Sequence, residues 1–276
     1  MKKSTLAINA LAIAFVAIFI KQAGHESAHG ILATLVGAKW TQLNLFFADS
    51  VWKGEPNQIG NAILTGGAAI LNIVIAFIAA WMFNRKSIAS NASLRLFLFY
   101  LTAYNLFAGF GYLFTDPLFY QPGGENLGDW KKIVDMLGGG WNVRLPISLI
   151  GAAGVLWGFF WVARNAHAFI PPDKPERFRS ALWLLLFPYV TINILFTAFA
   201  IFGPLPDEIV LIIAIQYWFG YFGIGWGAFM SGLWIQAPGG LERSGVPESI
   251  QWGWVVASIL LLVFSIFVLL PTIQFS

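Results

Sequence analysis

Seven long apolar segments constrain this chain more than any other feature. They lie at 5–36, 60–83, 94–115, 145–163, 181–203, 208–236 and 251–273. Most of them approach the ~20 residues that an α-helix needs to cross the hydrocarbon core of a bilayer. The sequence therefore predicts an all-α multi-pass membrane protein with about seven transmembrane helices, within a range of six to eight.

The composition agrees with this prediction. Of the 276 residues, 58% are hydrophobic and only 11% are charged, whereas a soluble domain carries roughly 25% charged residues. The chain has no cysteine, which excludes a disulfide framework, a thiolate metal site and a cysteine nucleophile. A net charge of +3 does not indicate nucleic acid as a partner. The expected surroundings are a lipid bilayer.

The distribution of basic residues predicts an orientation. The apolar start of the chain has no small-x-small cleavage pattern before Lys21, so we interpret it as an uncleaved first helix rather than a signal peptide. Threading seven helices from there places ten basic residues on the side of the N-terminus and five on the other. Because basic residues concentrate in cytoplasmic loops, we expect the N-terminus to be cytoplasmic, with the protein in the cell membrane.

Two segments between the apolar stretches are too polar or too short to span. Residues 40–60 are polar, and the partial alternation from Trp40 to Phe47 favours a strand or a β-hairpin beside the membrane. Residues 127–137 form a short amphipathic stretch. We expect this stretch to lie at the membrane interface or to fold back into the bundle.

The motif that carries chemistry is His25-Glu26-Ser27-Ala28-His29, an H-E-x-x-H pattern. Residues four apart lie on one face of a helix, so both imidazoles can reach one metal ion, and Glu26 is placed to accept a proton from water beside that ion. Zinc suits nitrogen and oxygen ligands and leaves a position for water in catalytic sites. Lys21, one turn earlier, is expected to snorkel or to pair with a carboxylate.

A catalytic zinc ion needs a third protein ligand. His167 is expected at the opposite membrane face, which leaves the carboxylates that follow the third helix: Asp116, Glu125, Asp129 and Asp135. We predict Asp129, at the start of the amphipathic stretch, with Asp116 as the second choice. The alternative for Asp129 is that it caps the following helix.

This arrangement resembles the site-2-protease-type intramembrane zinc metalloproteases. The resemblance covers residues 20–137, and H-E-x-x-H is its specific element; the Gly-Pro-x-x-Asn motif of the family appears only loosely, without proline, at 66–72. It implies that Asn72 and Asn105 help to hold the substrate backbone or bound water. The ordinary alternative for both is hydrogen bonding between helices. The departures suggest a divergent member of that family.

Taken together, these patterns predict an intramembrane zinc metallopeptidase that cuts a membrane protein substrate within or beside the bilayer. One Zn²⁺ ion would be held by His25, His29 and Asp129, with Glu26 as the general base. Residues 1–142 would form the catalytic core, and residues 143–276 would add transmembrane helices to which the sequence assigns no role. The alternative is a non-catalytic metal-binding membrane protein, either a divalent-metal carrier or an inactive protease-like scaffold.

Overall fold

The computed structural model describes residues 3–55, 57–122 and 128–275. Within these residues, seven helices are long and apolar enough to cross a membrane, which confirms the predicted all-α multi-pass architecture. We number them spans 1 to 7 in chain order: Lys3–Leu35, Gln58–Phe83, Ala92–Leu118, Trp141–Ala168, Lys174–Phe202, Asp207–Trp234 and Trp252–Leu269.

Spans 1 to 3 are continuous α-helices, whereas the other four contain short segments of different helical geometry. Span 4 is an α-helix that ends in a 3₁₀ turn: Trp141–Asn165, then Ala166–Ala168. Spans 5 to 7 contain π-helical segments at Leu182–Leu186, Gln216–Gly220, Met230–Trp234 and Ser265–Leu269. The α-helical parts around them are Lys174–Ala181, Phe187–Phe202, Asp207–Ile215, Phe222–Phe229 and Trp252–Phe264. Two short helices lie outside the spans, at Lys86–Ala89 and Lys131–Met136.

The π-helical segment in span 5 has a local cause. Pro188 has no backbone N–H, so the carbonyl four residues earlier, that of Leu184, loses its usual helical donor. The hydroxyl of Tyr100, a fully buried side chain in span 3, donates a hydrogen bond to this carbonyl. Span 3 therefore fixes span 5 through the backbone group that proline leaves free.

Spans 1 and 3 form the centre of the bundle, and span 7 lies at its outside. Of the 18 most apolar consecutive residues of each span, 72% are buried in spans 1 and 3, but only 11% in span 7. Span 4 approaches span 3 closely because glycine faces it: a Cβ added to Gly151 would lie 2.3 Å from the backbone nitrogen of Phe114. Small residues allow such backbone contact between helices in membranes.

A small antiparallel sheet follows span 1. Strand β1 (Ala38–Leu43) pairs with β2 (Ala48–Trp52), and Asn44 N–H donates to the Phe47 carbonyl at 2.8 Å across the turn. The predicted hairpin is present, although its first strand ends before Phe47. A third strand, β3 (Ile273–Gln274), pairs with the other edge of β1, and no local sequence pattern predicted it.

Both non-spanning segments lie against helices near the H-E-x-x-H motif. The Trp40 ring of β1 covers Gly30, where an added Cβ would come within 2.1 Å of it. The helix Lys131–Met136 folds back onto span 2. It lies so close that a Cβ added to Gly66 would be 2.2 Å from Ile133 Cδ1. The beginning of the predicted amphipathic stretch, Leu127, is outside the described residues.

Candidate metal centre

Two imidazoles and one carboxylate converge near the end of span 1. His25 Nε2 lies 3.3 Å from Asp129 Oδ2, and His29 Nε2 lies 3.4 Å from Asp129 Oδ1. Within the described residues, this is the group of histidines and carboxylates whose ligand atoms all lie within 4.8 Å of one another. The histidines belong to one helix and the aspartate to a loop about a hundred residues further along the chain.

The geometry of this triad is compatible with a metal ion. Each imidazole Nε2 faces a different carboxylate oxygen, at 3.3 Å from His25 to Oδ2 and at 3.4 Å from His29 to Oδ1, which is slightly longer than the usual N–H···O hydrogen bond of about 2.7–3.2 Å. Asp129 Oδ2 is buried and has no hydrogen-bond partner. A buried carboxylate oxygen without a hydrogen-bond partner, beside an imidazole, is a candidate metal ligand.

Electrostatics keep Asp129 in the form that binds metal. Burial raises the pKa of Asp129, but the nearby His25 and His29 side chains outweigh this effect and hold the pKa below its usual value. Metal ligands must be deprotonated, so a carboxylate with a lowered pKa is suited to the role. The Asp129 side chain retains 13% of its exposure and that of His29 14%, so the centre is not sealed.

Asp116 positions the loop that carries Asp129 and is not part of the triad. Its Oδ2 accepts a hydrogen bond from the backbone N–H of Trp130 at 2.9 Å. The loop passes so close to Asp116 that a Cβ on Gly128 would lie 2.8 Å from the same oxygen, and Gly128 has a φ of +135°, a value that favours glycine. Asp129 does not cap the following helix, because Trp130 occupies that position without a side-chain cap bond.

Each histidine has a partner on its second ring nitrogen. His29 Nδ1 lies 2.8 Å from the carbonyl oxygen of Leu64, which accepts its proton and leaves Nε2 free for a metal. The Asn72 side-chain nitrogen Nδ2 lies 2.9 Å from His25 Nδ1. A half-turn of the amide exchanges its nitrogen and oxygen, and the oxygen in that place would accept the Nδ1 proton and leave His25 Nε2 for a metal. Outer partners of this kind fix ring orientation in metal sites. The predicted contact of Asn72 with substrate or water remains a prediction, and the structure places Asn72 behind His25.

Glu26 belongs to a chain of buried polar groups that begins at Lys21. Gln22 Nε2 donates to Glu26 Oε1 at 2.8 Å, and Lys21 Nζ donates to Gln22 Oε1 at 3.1 Å. Lys21 is 1% exposed, so it does not snorkel, and no described carboxylate lies within ion-pair distance of it. The expectation for Lys21 was therefore wrong: the Gln22 amide oxygen, not a carboxylate, accepts a hydrogen bond from its ammonium group.

Span 6 supplies contacts that sequence reasoning missed. The Tyr217 hydroxyl donates to Gln22 Oε1 at 3.2 Å, and Gln216 Nε2 donates to the Tyr112 hydroxyl at 2.9 Å. The Tyr112 ring in turn stacks on His25, with centroids 5.4 Å apart and planes 5° apart. The signal available in the sequence was the polar pair Gln216-Tyr217 inside an apolar span. The second part of the chain thus contacts the groups around the motif.

The other predicted residues lie elsewhere. Asn105 is fully buried and donates to the Leu101 carbonyl of its own helix at 2.8 Å. His167 is 2.9 Å from the Ile235 carbonyl, at the end of span 4 that lies beside the start of span 1. Asp135 accepts a hydrogen bond from the Tyr120 hydroxyl. Glu125 is outside the described residues.

The comparisons with known proteins give no identity for this fold and site. No protein-family model, no curated protein and no solved structure matches the chain. The fold and the site define a multi-pass helical membrane protein with a three-residue group that can hold a metal ion.

Proposed function

We propose that this protein is a zinc-dependent metalloendopeptidase that hydrolyses a peptide bond of a membrane protein substrate within or beside the bilayer. The observation that carries the proposal is the convergence of His25, His29 and Asp129. One buried Asp129 oxygen has no hydrogen-bond partner, and a buried glutamate directly follows the first histidine. The resemblance of residues 20–137 to site-2-protease-type enzymes points to the same reaction.

The donor set suits zinc in its catalytic form. Two imidazole nitrogens and one carboxylate oxygen are ligands typical of hydrolytic zinc sites, which keep one position open. Bound there, zinc would act as a Lewis acid and lower the pKa of a water ligand. The Leu64 carbonyl and Asn72 would hold the two imidazoles in orientation.

Glu26, a buried carboxylate directly after His25, would act as the general base. Gln22 holds its Oε1 from one side, which leaves Oε2 to take a proton from the attacking water. The same carboxyl then gives that proton to the leaving amine, so the base is regenerated in each cycle. The substrate segment must be extended to expose its peptide bond, and β2, an edge strand of the described sheet, is placed to pair with such a segment.

The runner-up, a divalent-metal carrier, has weaker support. A carrier needs polar ligands along a path through several spans, whereas Glu26 and Asp116 are the fully buried carboxylates among the described residues. We further propose that the protein lies in the cell membrane with its N-terminus on the cytoplasmic side, because ten of the basic residues assigned from the sequence lie on that side and five on the other.

Glu26→Gln tests the proposed function. The substitution keeps volume and hydrogen bonding but removes the base, so we expect the same zinc content by elemental analysis and a loss of cleavage of about 10²–10⁴-fold. Because the substrate is unidentified, the assay compares membranes that contain wild type or Glu26→Gln protein and sequences the new N-termini of membrane-protein fragments. Glu242→Gln, a glutamate in the loop after span 6, serves as the matched control.

The outcomes separate the candidate functions. Zinc in both proteins, with fragments that appear only with wild type and the control, supports the protease. Fragments of equal abundance in wild type and Glu26→Gln would refute it. Zinc-dependent uptake of metal into sealed vesicles, without fragments, would support the carrier instead.

A further inference from the structure

A cavity lies at the end of the bundle opposite to the metal centre. It has a volume of about 410 Å³ and is lined by residues from the start of span 1, the end of span 4, the start of span 5 and the loop before span 7. The beginning of one span and the end of another meet here, so the cavity opens at one membrane face, at the depth of lipid headgroups. The larger set of basic residues, ten against five, is predicted to lie on this face.

Three cationic side chains line this cavity. They are Lys3, Arg179 and Arg243, with Glu176 as the one carboxylate in the lining. Across the part of the chain that the structure describes, no carboxylate oxygen lies within 4.0 Å of the side-chain nitrogens of these three cations. Their charges are therefore available to an external anion.

The wall that carries Arg243 is held in place by a buried arginine. Arg95, which is 3% exposed, donates from Nη1 to the Glu242 carbonyl at 2.7 Å and to Ser244 Oγ at 2.6 Å. The backbone N–H groups of Ser244 and Gly245 both donate to the Ala168 carbonyl at 3.0 Å. Arg243 therefore projects from a fixed backbone, so little ordering is needed when a ligand binds.

A second anchor fixes the same loop further along. The Asn9 side chain, fully buried in span 1, donates to the Ser249 carbonyl at 2.9 Å and accepts from the Gln251 N–H at 2.9 Å. Two buried polar residues inside apolar helices thus hold the loop that closes one side of the cavity. Polar groups at such positions are expensive in a membrane protein, which indicates that the position of the loop matters.

Most of the remaining lining is apolar, apart from Glu176 and Ser180. Leu6, Phe169 and Ile170 are each at most 3% exposed, and Trp183 is 37% exposed. Tryptophan is enriched at the membrane–water interface. Cationic and apolar side chains in one cavity match a ligand with an anionic phosphate head and a hydrocarbon tail.

We propose that this cavity binds the phosphate-bearing headgroup of an anionic phospholipid. Lys3, Arg179 and Arg243 contact the phosphate, and an acyl chain lies against the exposed part of Trp183. Basic pockets between transmembrane helices bind anionic headgroups by this combination of charge and apolar contact. The proposal is independent of the metal centre and of the proposed proteolysis.

The test uses the full chain in nanodiscs of phosphatidylcholine with or without phosphatidylglycerol. We expect phosphatidylglycerol to raise the thermal unfolding midpoint and to remain bound, about one molecule per chain, in native mass spectrometry. Each of Arg179→Gln and Arg243→Gln should weaken this retention about fivefold, since one cation near an anionic surface contributes about 1 kcal/mol. Lys174→Gln removes an exposed charge outside the cavity lining and should leave retention unchanged.

Further measurements identify the source of the phosphate and control for misfolding of the variants. Inorganic phosphate added to phosphatidylcholine discs should not raise the unfolding midpoint; a rise equal to that from phosphatidylglycerol would overturn the lipid assignment in favour of a free phosphate. Arg243→Lys should retain lipid, and metal content should be the same in all variants. Equal retention by Arg179→Gln, Arg243→Gln and Lys174→Gln would show only general surface charge and would overturn the site.

Discussion

The buried polar clusters around Arg95 and around Asp129 differ in how completely their hydrogen bonds are formed. Around Arg95, the guanidinium donates to the carbonyls of Phe83 and Glu242 and to a serine hydroxyl. At Asp129, Oδ2 has no hydrogen-bond partner, and each imidazole Nε2 stands more than 3.2 Å from the carboxylate oxygen that it faces. Both clusters cost free energy to bury. The satisfied cluster holds a loop, whereas the unsatisfied one has the chemistry of a ligand site.

The difference separates scaffold from site without reference to any relative. A polar group that is buried for structural reasons is expected to have its partners within the protein. Metal-ligating groups that converge on one point and are not fully hydrogen-bonded are candidates for a ligand site. On this criterion the triad is a candidate site, and Arg95 and Asn9 are structural supports.

Asp129→Ala tests most directly whether the triad, unlike the Arg95 cluster, binds a metal ion. Removing a metal ligand should weaken zinc binding by at least about 100-fold, beyond the 10- to 100-fold loss typical of second-layer partners. Competition with a chromophoric chelator in detergent measures this change. Asp135→Ala is the control, because that carboxylate accepts from Tyr120 and lies outside the triad. Zinc affinity that is unchanged in Asp129→Ala would remove the aspartate from the centre.

Arg95→Met should lower the stability of the protein and leave its zinc affinity almost unchanged, in contrast to Asp129→Ala. The change leaves the Glu242 carbonyl and Ser244 without their charged donor, so we expect a loss of about 2–3 kcal/mol in stability and a lower thermal unfolding midpoint. Zinc affinity should stay within about twofold of wild type, because Arg95 is not among the triad or its partners. Arg95→Lys, which keeps one donor, should lose less. A large loss of zinc in Arg95→Met at a temperature where the protein is folded would contradict the separation of the two clusters.

Much of the fold was predictable because apolar length is a local property. Each span could be located from its own residues. The ends differ from the predictions by at most five positions, except at the start of span 5, predicted at 181 and observed at Lys174. The strand β3 was not predictable, since two residues near the end of the chain carry no local sign of their pairing with β1.

The site was predictable where its geometry is local and ambiguous where it depends on the tertiary fold. Helical spacing alone places His25 and His29 on one face. The choice between Asp116 and Asp129 depends on how the loop at Gly128 turns back over span 3, and no sequence pattern fixes that turn. The link from Tyr217 to Gln22 joins residues 195 positions apart, which spacing along the chain cannot reveal.

The smallest expected effect among these tests belongs to Asn72, which stands between the two kinds of cluster: it is 1% exposed and contacts His25 Nδ1. Asn72→Leu keeps a similar size but removes the acceptor for the ring proton, so zinc affinity should fall about 10-fold, at the low end of the range for such partners. Asn72→Asp keeps an acceptor at the same place and should stay within about threefold of wild type. If Asn72→Leu lowers stability and leaves zinc affinity unchanged, Asn72 belongs with Arg95 among the supports. If both variants lose zinc equally, the amide contributes its own donor and the proposed proton position on His25 is wrong.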